Sequence, residues 1–344
     1  MPSLSANRRS SLSAIALFAM ARLASVLFSI VLLLATCLFA FGPAQAARSD
    51  FSALTTPKQD SFIQFPTDRS VGRLFVHEQA WRPTGRPPQG KFYAQARGKV
   101  RLKPGTIVNF EPNIYINQHA EAFARFPSDS LGFVSLSRLE VNDEVMAAVG
   151  KAQTIRALNL QETDITDERL KHLSNLINLQ YLDLSDGAIK GPGLSYIAAL
   201  KDLRRLDLSY DPIEHDPARY LNHFPHLTSL LLARCHLTDS DLVGLSKLQS
   251  IEHLKLASNN DITDKGIKNL VPLKKLHTIE IDDTQATPNG LLALKGLPID
   301  TIWLNKRDDN KSTTTMLQKA FPKVELKFRG RGNLIPVDCF APLH

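Results

Sequence analysis

The stretch that decides the fold is LTSLLLARCHL, residues 227–237, because its apolar spacing returns along about half of the chain. Leucine occupies the first, fourth, sixth and eleventh positions of this stretch. Comparable segments start at residues 131, 155, 179, 203, 227, 251, 276 and 299. Successive starts are therefore separated by 24 residues, except for one spacing of 25 and a last spacing of 23. Chance does not hold such a period, so the sequence predicts an internal repeat.

Each repeat is predicted to contain a short strand followed by a helix. Alternate side chains of a strand point to opposite faces, so Leu230 and Leu232 are expected inside and Leu231 outside. The second half of a repeat, as in ITDERLKHLSNLINL, places leucines such as Leu170 and Leu173 on one helical face. The Thr-Asp pair before them offers side-chain oxygens for the helix N-terminus.

The repeat resembles the leucine-rich repeat family. Its consensus, LxxLxLxx(N/C)xL, recurs in seven full copies and one partial copy, and TDxxLxxLxxL follows it in three of them. It is similar to the cysteine-containing leucine-rich repeats found beside F-boxes and to bacterial surface leucine-rich repeat proteins. An N-terminal export signal favours the second comparison. The resemblance implies an α/β fold, a horseshoe-shaped solenoid with a parallel sheet on its concave side and helices on its convex side.

The ninth residue of each repeat is predicted to form a structural ladder. A small side chain there is expected to turn inward and to satisfy backbone groups in the turn of its own or the next repeat. Cys235 fits because cysteine is small and tolerates burial. His236 is expected to point away, so the pair is not predicted to form a Cys-His site. The ladder residues are Thr163, Asp211, Cys235, Asn259 and Thr284.

The chain is expected to divide into four parts. Residues 1–46 have basic residues, the apolar run 23–41 and the sequence Ala44-Gln45-Ala46, which is typical of a signal peptide cleaved after Ala46. Cleavage would release a secreted, periplasmic or cell-envelope protein, whereas an uncleaved run would anchor it in a membrane. Residues 47–130 are predicted to be a small β-rich N-terminal cap, 131–304 the repeats, and 305–344 the C-terminal cap and tail.

Charge and motifs point away from nucleic acids and catalysis. The net charge of the chain is +7, of which the three arginines of residues 1–46 contribute +3. The remainder is +5 for residues 47–130, −5 for 131–304 and +4 for 305–344. An acidic middle is not typical of a nucleic-acid binder. HEQAW, residues 77–81, lacks the last histidine of HExxH, and no nucleotide-binding loop occurs. The metal-like spacing of His223 and His226 is interrupted by a proline. We therefore expect no cofactor, no metal and no enzyme activity.

One alternative assigns a catalytic or ligand-binding activity to residues 47–130. In that interpretation they form a small enzyme or ligand-binding domain that uses His77, Glu78 or His119, and the repeats direct it to a target. His119 and Glu121 are two residues apart, so we do not expect them to share a helix face. Two further alternatives are a structural envelope component anchored by residues 23–41 and an adaptor related to F-box-type repeat proteins.

The predicted binding surface is the concave face of the sheet. Outward side chains there form columns one strand, about 4.8 Å, apart. Exposed Tyr, Trp and Arg are the usual anchors of protein interfaces. We therefore expect this face to bind a protein or a cell-surface polymer. The predicted binding residues are Tyr181, Asp183, Arg205, Asp207, Tyr210, Leu231, Arg234 and Trp303.

Overall fold

The computed structural model describes residues 60–76, 90–127 and 130–330. The predicted signal segment 1–46, the candidate residues His77 and Glu78, and the tail 331–344 lie outside these ranges. Within them, no helix is long and apolar enough to cross a membrane.

A twelve-stranded sheet dominates the described residues. From β5 to β14 the strands pair in chain order, and each pairs in parallel with the next. β2 and β3 extend the sheet beyond β5 in antiparallel orientation, and β1 pairs with β4 in a separate two-stranded sheet. The strands are β1 Ser61–Gln64, β2 Gly72–Val76, β3 Lys91–Gln95, β4 Lys99–Leu102, β5 Val108–Pro112, β6 Leu131–Ser135, β7 Ala157–Asn159, β8 Tyr181–Asp183, β9 Arg205–Asp207, β10 Ser229–Leu231, β11 His253–Lys255, β12 Thr278–Glu280, β13 Thr301–Asn305 and β14 Glu325–Arg329.

A helical segment follows most strands, but it is not always an α-helix. The α-helices are α1 Asp143–Lys151, α2 Ala218–Leu221, α3 Asp239–Leu245, α4 Asp264–Asn269 and α5 Lys311–Ala320. The 3-10 helices are Ile114–Gln118, Ala120–Arg125, Asp167–Leu173, Pro192–Ile197, Gly290–Leu294 and Lys306–Asp308. Three repeats thus return to the sheet through a 3-10 helix.

The inward leucines of the repeats form one continuous core. Leu230 and Leu232 are fully buried, as the alternation predicts. The same apolar cluster runs from Ile63 near the first described residues to Val324 before the last strand. Burying a leucine side chain contributes about 1.5–3 kcal/mol, and no single repeat covers its own leucines. The repeats therefore stabilise one another along the sheet.

The eighth residue of each repeat turns the chain away from the strand through a left-handed backbone conformation. Its N–H group also donates to the neighbouring repeat, as from Tyr210 to the Ala233 carbonyl at 2.8 Å and from Arg234 to Ala257 at 2.9 Å. This turn brings the ninth residue inward. We call these eighth residues the rim: Arg138, Glu162, Asp186, Tyr210, Arg234, Ser258 and Asp283, with φ between 53° and 70°.

The five ladder residues are buried behind the rim. The Asn259 Oδ1 accepts hydrogen bonds from the N–H groups of Cys235 at 2.9 Å and Leu237 at 3.0 Å. Its Nδ2 donates to the carbonyls of Leu232 and Leu256, both at 2.8 Å. The partners in the same repeat were expected, whereas the other partners belong to the preceding repeat and not, as predicted, to the next one. The left-handed turn directs the side chain back toward the strand that comes before it.

Cys235 lies inside this ladder as a neutral thiol. Its Sγ donates to the Leu208 carbonyl at 3.1 Å. Burial raises the pKa of the thiol well above its usual value, and the nearby Asp211 raises it further. The side chain of His236 is exposed on the other side of the backbone. A buried, protonated thiol is a poor nucleophile, so Cys235 serves the packing of the ladder.

The aspartate of the Thr-Asp pair connects successive repeats. The Asp239 carboxylate accepts hydrogen bonds from both the N–H and the hydroxyl of Thr263, each at 2.7 Å. Asp264 contacts Thr287 in the same way. A Cβ on Gly266 would lie 2.3 Å from the Asp239 Oδ1, so only glycine leaves room for this contact. The sequence predicted a helix-end role for Asp239 and did not indicate this second role.

Candidate functional site

The structure divides the eight predicted binding residues into two groups. Tyr181, Arg205 and Leu231 are only 1% exposed, and Asp183 is also buried. The expectation that these four are exposed anchors is therefore wrong. The other four keep contact with solvent: Asp207, Tyr210 and Trp303 are half-buried, and Arg234 is exposed.

The buried residues Tyr181 and Arg205 pack against side chains at the equivalent position of neighbouring strands. Tyr181 belongs to a small buried cluster with Phe133 and Ala157 of the preceding strands. The Arg205 guanidinium lies 5.7 Å from the centroid of the Tyr181 ring, and its Nη1 donates to the Ser229 Oγ at 2.8 Å. Strands are about 4.8 Å apart, so large side chains at equivalent positions reach one another. Cross-strand contacts of this kind stabilise the sheet.

A polar chain continues from Ser229 across the next strands. The Ser229 Oγ lies 3.3 Å from the His253 Nδ1, and the His253 Nε2 lies 2.8 Å from the Glu280 Oε1. Burial raises the pKa of Glu280, but His253, Lys255 and Arg329 outweigh burial and lower it to about 2. Glu280 is therefore ionised at neutral pH. Ser229 is buried and accepts a hydrogen bond from Arg205. Its hydroxyl is therefore not accessible to a substrate, although serine, histidine and glutamate follow one another in this chain of contacts.

The half-buried Trp303 is fixed by two cations of β14. The Arg329 guanidinium lies 4.4 Å from the Trp303 ring centroid, and the Lys327 ammonium lies 5.4 Å from it. Arg329 also forms a buried ion pair with Asp282 at 2.9 Å. The Trp303 ring is therefore held by contacts with side chains of the neighbouring strand.

The rim carries the accessible part of the predicted site. Asp186, Tyr210 and Arg234 lie on three successive repeats, and we call them the rim triad. The Arg234 guanidinium lies 5.8 Å from the centroid of the Tyr210 ring. Arg138 and Glu162, further along the rim, instead form a bidentate ion pair at 2.9 and 3.1 Å. The rim triad thus combines an aromatic ring, a cation and an anion on one edge.

Comparison with known protein families matches residues 134–293 to a leucine-rich repeat region. The protein carries a leucine-rich repeat domain. A search of curated proteins found no match to the chain. The matched residues include the rim triad and the whole ladder, and a leucine-rich repeat region indicates a protein-binding repeat domain.

The histidines in and around the leucine-rich repeat domain do not converge. His119 and Glu121 do not share a helix face, yet the His119 Nδ1 lies 3.4 Å from the Glu121 Oε1. His119 precedes the 3-10 helix Ala120–Arg125, and its non-helical backbone lets its ring approach Glu121. His215 is exposed and lies 3.3 Å from the buried Asp241. Among the described residues, no group of three or more His, Cys, Asp or Glu is placed to hold a metal ion.

Proposed function

We propose that the protein is an exported, non-catalytic recognition protein that binds a partner protein through the rim triad. The observation that carries this proposal is the pair of Tyr210 and Arg234, which keeps contact with solvent while Arg205 and Leu231 of the same two repeats are buried. Tyrosine and arginine are enriched among the residues that contribute most binding energy at interfaces. The triad also offers opposite charges on either side of the ring, which favours a partner with complementary charges.

The backbone supports this assignment. A left-handed conformation costs a residue with a Cβ about 1–2 kcal/mol, so Tyr and Arg are costly choices at rim positions. Main-chain hydrogen bonds to the next repeat hold both residues in place. A backbone that is already fixed loses little further freedom on binding, which increases affinity. Arg138 and Glu162 bear the same cost, so this turn belongs to the repeat itself, and it places Tyr210 and Arg234 on the rim.

The rest of the proposal concerns shape and location. In our proposal the repeats curve into a horseshoe-shaped solenoid with the rim along its concave side. Residues 47–130 would cap the first repeat, since β5 pairs with β6, and residues 305–344 would cap the last through α5 and β14. Both ends of a solenoid need such covers. Export rests on the signal-like residues 1–46.

The test removes the two anchors together. Tyr210→Ala with Arg234→Ala is expected to reduce capture of a partner protein from native extract by about thirtyfold, the effect of losing about 2 kcal/mol at an interface. Circular dichroism should stay unchanged, because neither side chain belongs to the apolar core. The matched control is Arg138→Ala with Glu162→Ala, which removes the rim ion pair and should leave capture intact. Equal capture by the anchor variant and the control would contradict the rim assignment.

A further inference from the structure

The small sheet of β1 and β4 has one apolar face and one basic face. Ile63, Val100 and Leu102 point into the core. The opposite side chains are all exposed, and Lys103 continues them beyond β4. We call the exposed set the basic face: Phe62, Gln64, Lys99, Arg101 and Lys103.

The basic face carries three cations, Lys99, Arg101 and Lys103, and lies in a basic stretch of the chain. Residues 91–110 contain five Lys or Arg residues and no Asp or Glu. Within the described residues, only Arg101 of these five forms an ion pair, with Asp60. Lys99, Arg101 and Lys103 alternate along the chain, so their Cα atoms are about 7 Å apart. The face therefore presents a row of cations that would attract an anionic chain.

An exposed aromatic ring lies in the middle of this row. Phe62 is 50% exposed on the outer face of β1. Phe62 is paired directly with Arg101, and the Lys99 ammonium lies 4.2 Å from the ring centroid. The ring offers a flat apolar surface between two cations. That combination suits a ligand with flat apolar patches and regularly spaced negative groups.

We propose that the basic face binds a linear polysaccharide that carries carboxylates. The C–H faces of its sugar rings would stack on Phe62, and its carboxylates would pair with Lys99, Arg101 and Lys103. A nucleic acid is disfavoured because residues 131–304 carry a net charge of −5 and this face offers a single exposed ring. The surface lies outside the matched residues 134–293, so it is separate from the rim triad.

The test measures binding of the purified full-length protein to immobilised alginate, a linear polyuronate. Lys99→Glu with Lys103→Glu is expected to reduce affinity at least about tenfold, since it replaces attraction by repulsion. Phe62→Ala should reduce it several-fold with an unchanged circular dichroism spectrum. The matched control is Lys319→Glu with Lys323→Glu, which changes the net charge equally at exposed positions of the C-terminal end.

Three results would overturn the proposal. The first is that the unmodified protein binds alginate no more tightly than it binds neutral dextran. The second is an equal loss in the control variant, which would show a general charge effect. The third is tighter binding to oligothymidylate with the same dependence on Lys99 and Lys103, which would assign the face to nucleic acid.

Discussion

Replacing Asn259 by alanine is expected to lower the free energy of unfolding by about 4 kcal/mol, because four buried backbone groups lose their partner. Two of them are the N–H groups of Cys235 and Leu237, which Oδ1 accepts. The other two are the carbonyls of Leu232 and Leu256, to which Nδ2 donates. Each unsatisfied buried group costs about 1–3 kcal/mol, and these groups join two repeats.

The neighbouring asparagine gives the control for this prediction. Asn260 is exposed, and Asn260→Ala deletes the same atoms one residue later. Its effect on stability should stay within about 0.5 kcal/mol. Urea unfolding followed by circular dichroism measures both variants. Similar losses for Asn259→Ala and Asn260→Ala would show that the ladder does not carry the stability we assign to it.

Asp211→Asn is expected to stabilise the protein at neutral and alkaline pH. The Asp211 Oδ1 accepts hydrogen bonds from the N–H groups of Gly187 and Ile189, both at 3.1 Å. Its Oδ2 is buried and has no hydrogen-bond partner among the described residues. Burial, with the charges of Asp207 and Asp183, raises the pKa of Asp211 to about 8 despite those two hydrogen bonds. An ionised Asp211 is therefore unfavourable in the folded state.

The sign of the pH dependence follows from the two pKa values. The ordinary pKa of an aspartate is 3.8, so between this value and about 8 the folded protein holds a proton that the unfolded chain has lost. Stability that Asp211 contributes at acidic pH is therefore lost as the pH rises from about 4 to about 8. Asparagine has no charge to bury, and its amide is able to donate as that of Asn259 does.

Thermal or urea unfolding across pH 4 to about 9 measures this effect. Asp211→Asn should remove a component of the pH dependence and gain a few kcal/mol at the alkaline end, at about 1.4 kcal/mol per pKa unit. Asp202→Asn, at an exposed position, is the matched control and should follow the unmodified protein. Parallel curves for Asp211→Asn and the unmodified protein would contradict the buried-carboxyl assignment.

The repeat period was sufficient to predict the strands and the inward leucines, because Leu230 and Leu232 have no other way to be buried. It did not predict the burial of Tyr181 and Arg205. The alternation of apolar and polar residues along a strand determines on which face of the sheet a side chain lies. It does not show whether neighbouring side chains cover that side chain. Asp239 shows the same limit, since its contact with Thr263 depends on the distance between repeats.

The candidate site was predicted in part. Tyr210 and Arg234 remain accessible because the left-handed turn at the eighth residue carries them to the rim. Nothing in their spacing indicated that they would be more accessible than Leu231, which is buried three residues before Arg234. The basic face was represented in the sequence only by the positive charge of residues 47–130. Its geometry depends on the pairing of β1 with β4, which joins segments about forty residues apart.

The central claim is that recognition takes place at the rim, and photocrosslinking tests it most directly. A photoreactive phenylalanine derivative would replace Tyr210 in one protein and Tyr196 in another. Tyr196 is 51% exposed on the helical segment Pro192–Ile197, so it is a tyrosine away from the rim that is more accessible than the half-buried Tyr210. We predict a crosslinked partner protein from native extract for position 210 and none for position 196. Crosslinking at position 196 alone would contradict the account.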